Sequence, residues 1–200
     1  MFGQERLFIC AGKTVTTLWH VSDQHDIARF QPRLPGNRDA GVTEPVVWAV
    51  DDAHLTNYLL PRDCPRICLR VAAGTTQEDR IRFFAPSTAS AVILIEEAWY
   101  ERAMGTPLWL YELPPAQFTL IDGNAGYYVS REAADPIGVT EVRQPLQLMK
   151  ERGTELRSVT RLRQLANQLA RSTVAFSIIR LRNAAEDTEI GVYHLGDGRG

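Results

Sequence analysis

Apolar positions in this chain come in short runs punctuated by Pro, Gly and Asp until about residue 145, and over longer helical spacings afterwards. Residues 6–10 and 14–20 alternate or run apolar with β-branched side chains, which predicts two strands around the Gly12-Lys13 turn. Residues 26–30 give one helical turn or a short extended piece, ended by Pro32 and Pro35. The polar stretch 34–45, with Gly36, Asn37, Asp39 and Gly41, reads as a loop and as a candidate lid. The continuous β-branched run 45–50 is a buried-type strand, after which Asp51 or Asp52 caps a helix over 53–60 that stops before Pro61. A strand at 67–72 follows, then a helix opened by Thr75 or Thr76 with Glu78 and running through Phe84, then a strand at 91–95. Residues 96–104 predict a helix closing at Gly105, with Glu96, Glu97 and Glu101 on a solvated face. Four more strands are predicted at 108–113, 118–121, 127–130 and 137–142.

Beyond that point the pattern predicts a helix at 145–152, one strand at 155–159, an amphipathic helix at 162–171, and a helix restarting at Ser172 or Thr173 and reaching Arg182. Strands first and helices afterwards make an α+β chain. The expectation is one domain over 1–185, with a core at about 14–143, a helical C-terminal cover at 145–185, and a loosely held tail at 186–200.

Composition changes this picture little. Hydrophobic residues make up 44% and charged residues 23% of the 200, enough apolar material for a sizeable core. A net charge of −2 gives no electrostatic reason to expect nucleic acid or an anionic membrane as partner. Basic residues nevertheless cluster at Arg62, Arg66 and Arg70, and again at Arg157, Arg161, Arg163 and Arg171, the second set read as a solvated helix face. No apolar run approaches the roughly 18 residues of a membrane span, and the run at 7–11 is short for a signal peptide, so the expected location is cytoplasmic. Cys10, Cys64 and Cys68 are an odd, sparse set suited to a reducing compartment. Cys64 and Cys68 stand four apart without a second Cys or His pair, so no metal site is expected.

Candidate chemistry falls in four clusters. On a strand, His20 and Ser22 share one face while Trp19 and Val21 share the other, so the first pair offers polar groups to one ligand edge. Trp48 is either core packing or a surface on which a flat ring stacks. Arg62 and Arg66 bracket Asp63 and Cys64: they hold a phosphate, whose oxygens match a guanidinium fork, or they fix the loop through an internal Arg–Asp pair. Asp122 opens a turn that leads into Tyr127, Tyr128, Ser130, Arg131 and Glu132, and Asp122 and Glu132 are the acids placed to join His20 if these strands are neighbours. Phosphate loops, dinucleotide-binding glycine fingerprints, nucleophile elbows and His-Glu-x-x-His are all missing from the sequence.

The order of these clusters is that of an uncharacterised bacterial domain family, which the chain resembles from about Leu18 to Asn183. The resemblance rests on Trp19-His20-Val21-Ser22, Val47-Trp48-Ala49-Val50-Asp51, Pro61-Arg62-Asp63-Cys64-Pro65-Arg66, Gly126-Tyr127-Tyr128-Val129-Ser130-Arg131-Glu132 and Phe176-Ser177-Ile178-Ile179-Arg180-Leu181-Arg182-Asn183. More distantly, residues 17–143 are similar to small ADP-ribosyltransferase-like domains, notably the rifamycin ADP-ribosyltransferases. That similarity implies a split β-sheet core and NAD as cofactor. It places His20 and Ser22 on the nicotinamide-side ribose, Trp48 on nicotinamide, and Asp122 or Glu132 as the supporting acid. The family's glycine after the histidine is Val21 here, and its second-strand tyrosine is Trp48.

The leading expectation is therefore an NAD-using ADP-ribosyltransferase-like enzyme with His20, Asp122 and Glu132 as catalytic candidates. Its ligand contacts would be His20, Ser22, Trp48, Arg62, Arg66, Tyr127 and Tyr128. The alternative is a non-catalytic protein on the same fold that binds a nucleotide or phosphate ligand through Arg62, Arg66 and His20. A third reading uses Cys64 or Glu132 in different chemistry. The partner in the first two is a small molecule or nucleotide.

Overall fold

A computed structural model describes residues 9–10, 13–14, 17–35 and 41–186. The middle of the expected lid and the expected tail beyond residue 186 lie outside the described residues. In chain order the strands are β1 (Ile9–Cys10), β2 (Lys13–Thr14), β3 (Leu18–Ser22), β4 (Val47–Asp51), β5 (Arg66–Arg70), β6 (Ala91–Glu96), β7 (Leu108–Leu113), β8 (Thr119–Asp122), β9 (Tyr127–Ser130), β10 (Gly138–Val142), β11 (Thr154–Val159) and β12 (Ala175–Ile179). The helices are α1 (Gln77–Phe84), α2 (Tyr100–Gly105), α3 (Pro145–Glu151) and α4 (Leu162–Leu169), with a 3-10 helix at Asp52–Tyr58. The chain is thus mixed α and β, as the pattern predicts.

Two sheets stack face to face. The first has six strands in the order β10-β7-β3-β4-β9-β8, all antiparallel. The second has four in the order β11-β6-β5-β12, with β11 parallel to β6 and the other pairs antiparallel. Strand side chains alternate between faces, and the burial follows that alternation. Val50, Leu108 and Leu110 of the first sheet meet Cys68, Ile93 and Ile95 of the second, with Leu55, Leu59 and Leu60 filling one end. On the far face of the second sheet, Ile67, Leu69, Val92 and Leu94 are covered by Phe83 and Phe84 of α1 and by Leu162 and Leu169 of α4. Leu18, Val47, Ala49, Tyr111 and Leu113 on the far face of the first sheet are covered by Phe30 and Ala134, which bridge to each other. Residues 26–30 are thus a short extended piece rather than a helical turn.

Local signals placed the caps well. Thr76 accepts from the Asp79 amide at the start of α1, and Asp51 accepts from the His54 amide at the start of the 3-10 helix. The C-terminal cover is corrected. Residues 145–185 contribute the strands β11 and β12 as well as α3 and α4. The segment expected to be helical up to Arg182 instead pairs with β5, setting Ala175 against Arg70 and Ile179 against Arg66. An unpaired β5 edge would leave a row of amides and carbonyls without partners, and satisfying that row outweighs local helical patterning.

Two charged groups expected in solvent are structural. Glu96 is only 4% exposed, and its carboxylate accepts from the amides of Leu162 and Ala185. Arg157 stands on β11 rather than on a helix; it pairs with Glu155 and donates to the carbonyls of Phe83 and Phe84 at the end of α1. Among the described residues no helix is long and apolar enough to cross a membrane.

Candidate functional site

β3 and β4 pair at Leu18↔Asp51 and Trp19↔Val50 and then part. Past that fork, Arg33 takes over the edge of the chain at Val46 through two backbone hydrogen bonds. Between the two contacts the Trp48 carbonyl has lost its strand partner, and His20 Nδ1 reaches it at 2.8 Å. A carbonyl only accepts, so Nδ1 carries the proton, and in the neutral ring Nε2 is left as an acceptor. Burial, the largest cause, pushes the His20 pKa below its ordinary value; the bond to Trp48 opposes this, while the charges of Arg62 and Arg33 reinforce it. Phe30 packs on the ring with centroids 4.5 Å apart.

The fork opens into a cavity of about 600 Å³ between the ends of the two sheets. His20 and Ser22 line one side, and Trp48 and Tyr127 another, their rings edge-to-face at 5.5 Å. Among the described residues, six arginines line it, Arg29, Arg33, Arg62, Arg66, Arg180 and Arg182, and one carboxylate, that of Asp23. Arg29 faces Asp135 at 3.6 Å in an exposed contact. Among the described residues no carboxylate forms an ion pair with the other five.

Arg66 carries the most information. It is 3% exposed, lies 5.7 Å from the centroid of the Tyr58 ring, and donates through Nη1 to the carbonyls of Pro61 and Cys64. Among the described residues its buried Nε has no hydrogen-bond partner, and neither has the Tyr58 hydroxyl. A buried guanidinium without a counter-charge is expensive, and it is tolerated where an anion supplies the missing charge. Burial, ahead of the nearby Tyr127, also raises the Tyr58 pKa well above the usual range, so that phenol stays protonated.

The structure thus brings together His20, Ser22, Trp48, Arg62, Arg66 and Tyr127. It does not bring in the expected acids. Asp122 sits outside the cavity and accepts from the amides of Asn124 and Ala125, closing its own turn. Glu132 is exposed beyond the end of β9, where Ser130 Oγ accepts from its amide and donates to its carbonyl. Tyr128 alternates with Tyr127 along β9 and packs on the far face with Val47 and Ala49. Cys64 is fully buried and its thiol is pushed up to about 11 by burial, which removes it as a nucleophile. Among the described residues neither Arg62 nor Arg66 forms an ion pair with Asp63; Arg66 instead braces the loop through the carbonyls of Pro61 and Cys64. Arg29, Arg33, Tyr58, Arg180 and Arg182 escaped sequence reasoning.

The model of a family of unknown function (DUF6886) matches residues 19–184. The chain belongs to that family. The DUF6886 match contains every residue that lines the cavity, from Trp19 to Arg182. No curated protein and no solved structure matches this DUF6886 chain.

The lowered His20 pKa makes a prediction. The unfolded chain takes up the proton near the ordinary value of 6.5, before the folded chain does, so stability falls as pH drops from there toward the folded value. Urea midpoints measured from pH 7 to pH 5 should decline more steeply for the native sequence than for His20→Gln. Parallel declines would show that His20 is not held neutral.

Proposed function

We propose that the cavity binds a phosphorylated, nucleotide-type ligand. The observation that carries this is Arg66, buried and, among the described residues, without an ion pair, in a cleft where further arginines outnumber the single described carboxylate. Guanidinium forks match phosphate oxygens, and the edge-to-face pair of Trp48 and Tyr127 offers an aromatic surface for a planar ring. Free, buried Cys64 and Cys68 support a cytoplasmic setting.

NAD is the ligand that the ADP-ribosyltransferase resemblance implies, and transfer of its ADP-ribose is the second reading. The parting of β3 and β4 and the neutral His20 ring at the fork, held through Nδ1, support it. On this reading the acid at the cleft is Asp23, not Asp122 or Glu132. Thermal unfolding of the purified protein with pyrophosphate, ADP and NAD tests both. Binding should raise the midpoint, and Arg62→Ala should weaken affinity about tenfold, the loss of one charge-assisted contact. Nicotinamide release from NAD would add catalysis, and stabilisation without release would leave binding alone. A midpoint unmoved by all three compounds would overturn both readings.

A further inference from the structure

Four of the cleft arginines come from two segments far apart in the chain. Arg62 and Arg66 stand on the approach to β5, and Arg180 and Arg182 on the exit from β12. The two segments are fastened together twice. β12 pairs with β5 so that Ile179 faces Arg66, and Asn183 Nδ2 donates to the Asp63 carbonyl at 2.8 Å. Arg180 occupies the left-handed region at φ 57° and ψ 29°, which side chains with a Cβ avoid. Strain of this kind persists where surrounding structure enforces it, and it gathers at ligand-binding positions. Burial, then the charge of Arg182, then those of Arg62 and Arg66 depress the Arg180 pKa, with Asp63 opposing, so these guanidinium groups feel one another.

We infer that this corner is a subsite for a terminal phosphate, a phosphomonoester, on the ligand proposed above. The inference rests on that nucleotide reading and narrows it. A terminal phosphate brings close to two negative charges and three free oxygens. A phosphate internal to a dinucleotide brings one charge and two free oxygens, with ester substituents on both sides. Arg66 forms the buried floor and Arg180 the half-buried wall, while Arg62 and Arg182 are exposed at the rim. That arrangement surrounds a group at the end of a ligand, and its accumulated like charge is relieved best by a dianion.

Calorimetric titration at fixed ionic strength with AMP, 3′,5′-cyclic AMP, ADP, NAD and pyrophosphate separates the possibilities. AMP and cyclic AMP share base and ribose and differ in whether the phosphate is a monoester or a diester. AMP and ADP should bind at least about tenfold more tightly than cyclic AMP and NAD. Arg180→Gly suits the left-handed backbone and so keeps the fold. It should erase that preference, bringing AMP and ADP down to the affinity of cyclic AMP. Equal affinity for AMP and cyclic AMP, or a preference that survives Arg180→Gly, overturns the terminal-phosphate subsite and leaves the cleft reading standing. No binding by any of the five compounds overturns the cleft reading itself, and the subsite with it.

Discussion

Alanine at position 126 should destabilise the chain by about 3 kcal/mol, the sum of left-handed strain and a broken cap. Gly126 holds φ +66°, and a Cβ there would lie 2.7 Å from Asp51 Oδ1 and closer still to His54 Nδ1. Those are the two groups that bond each other at 2.7 Å and cap the 3-10 helix at Asp52–Tyr58. The Gly126 carbonyl also accepts from the Asp51 amide, so the backbone has no slack with which to move away. Urea unfolding measures the loss. Gly126→Asn separates the two causes, because asparagine tolerates the left-handed region but still carries the Cβ. A loss below about 1 kcal/mol for Gly126→Ala would mean that the Asp51–His54 pair yields freely.

A loss of similar size, again about 3 kcal/mol, is expected for Glu96→Ala, which strips two amides of a charged acceptor. Glu96 ends β6, and its carboxylate holds both the first residue of α4 and Ala185 beyond the 3-10 turn at Leu181–Asn183. Glu96→Gln keeps an acceptor and should cost roughly a third as much. Amide exchange reads the effect locally: Leu162 and Ala185 should lose protection in the alanine variant, and unchanged protection would refute the tie. Because that same turn carries Arg182, the alanine variant should also bind phosphate ligands more weakly, although residue 96 lies outside the cavity.

The elements most legible in the sequence were those specified locally. The alternation at Tyr127–Ser130, the run at Ala91–Glu96 and the Thr76 cap each depend on a few neighbouring residues. β12 was not legible in that way. Phe176 and Ile178 on its outer side are exposed, and what makes the segment a strand is β5, more than a hundred residues earlier. Half of the site shared that fate. His20, Trp48 and Arg66 could be singled out by type and surroundings, but Arg180 and Arg182 acquire meaning only through the β5–β12 pairing. Asp122 and Glu132 misled for the converse reason. Acids near paired tyrosines look available until the hairpin turn and the end of β9 are seen to direct them elsewhere. Burial of a charge is equally invisible in one dimension, as Glu96 and Arg66 show.

The second sheet also fixes a timetable for biogenesis. β5 and β6 emerge from the ribosome well before their outer partners, β12 and β11. Such long-range pairings close slowly, and until they do the inner strands present open edges to other chains. The strand that seals one of those edges also delivers Arg180 and Arg182. A ligand of the proposed corner therefore cannot rescue a nascent chain, since that corner is incomplete until the sheet it would stabilise is complete.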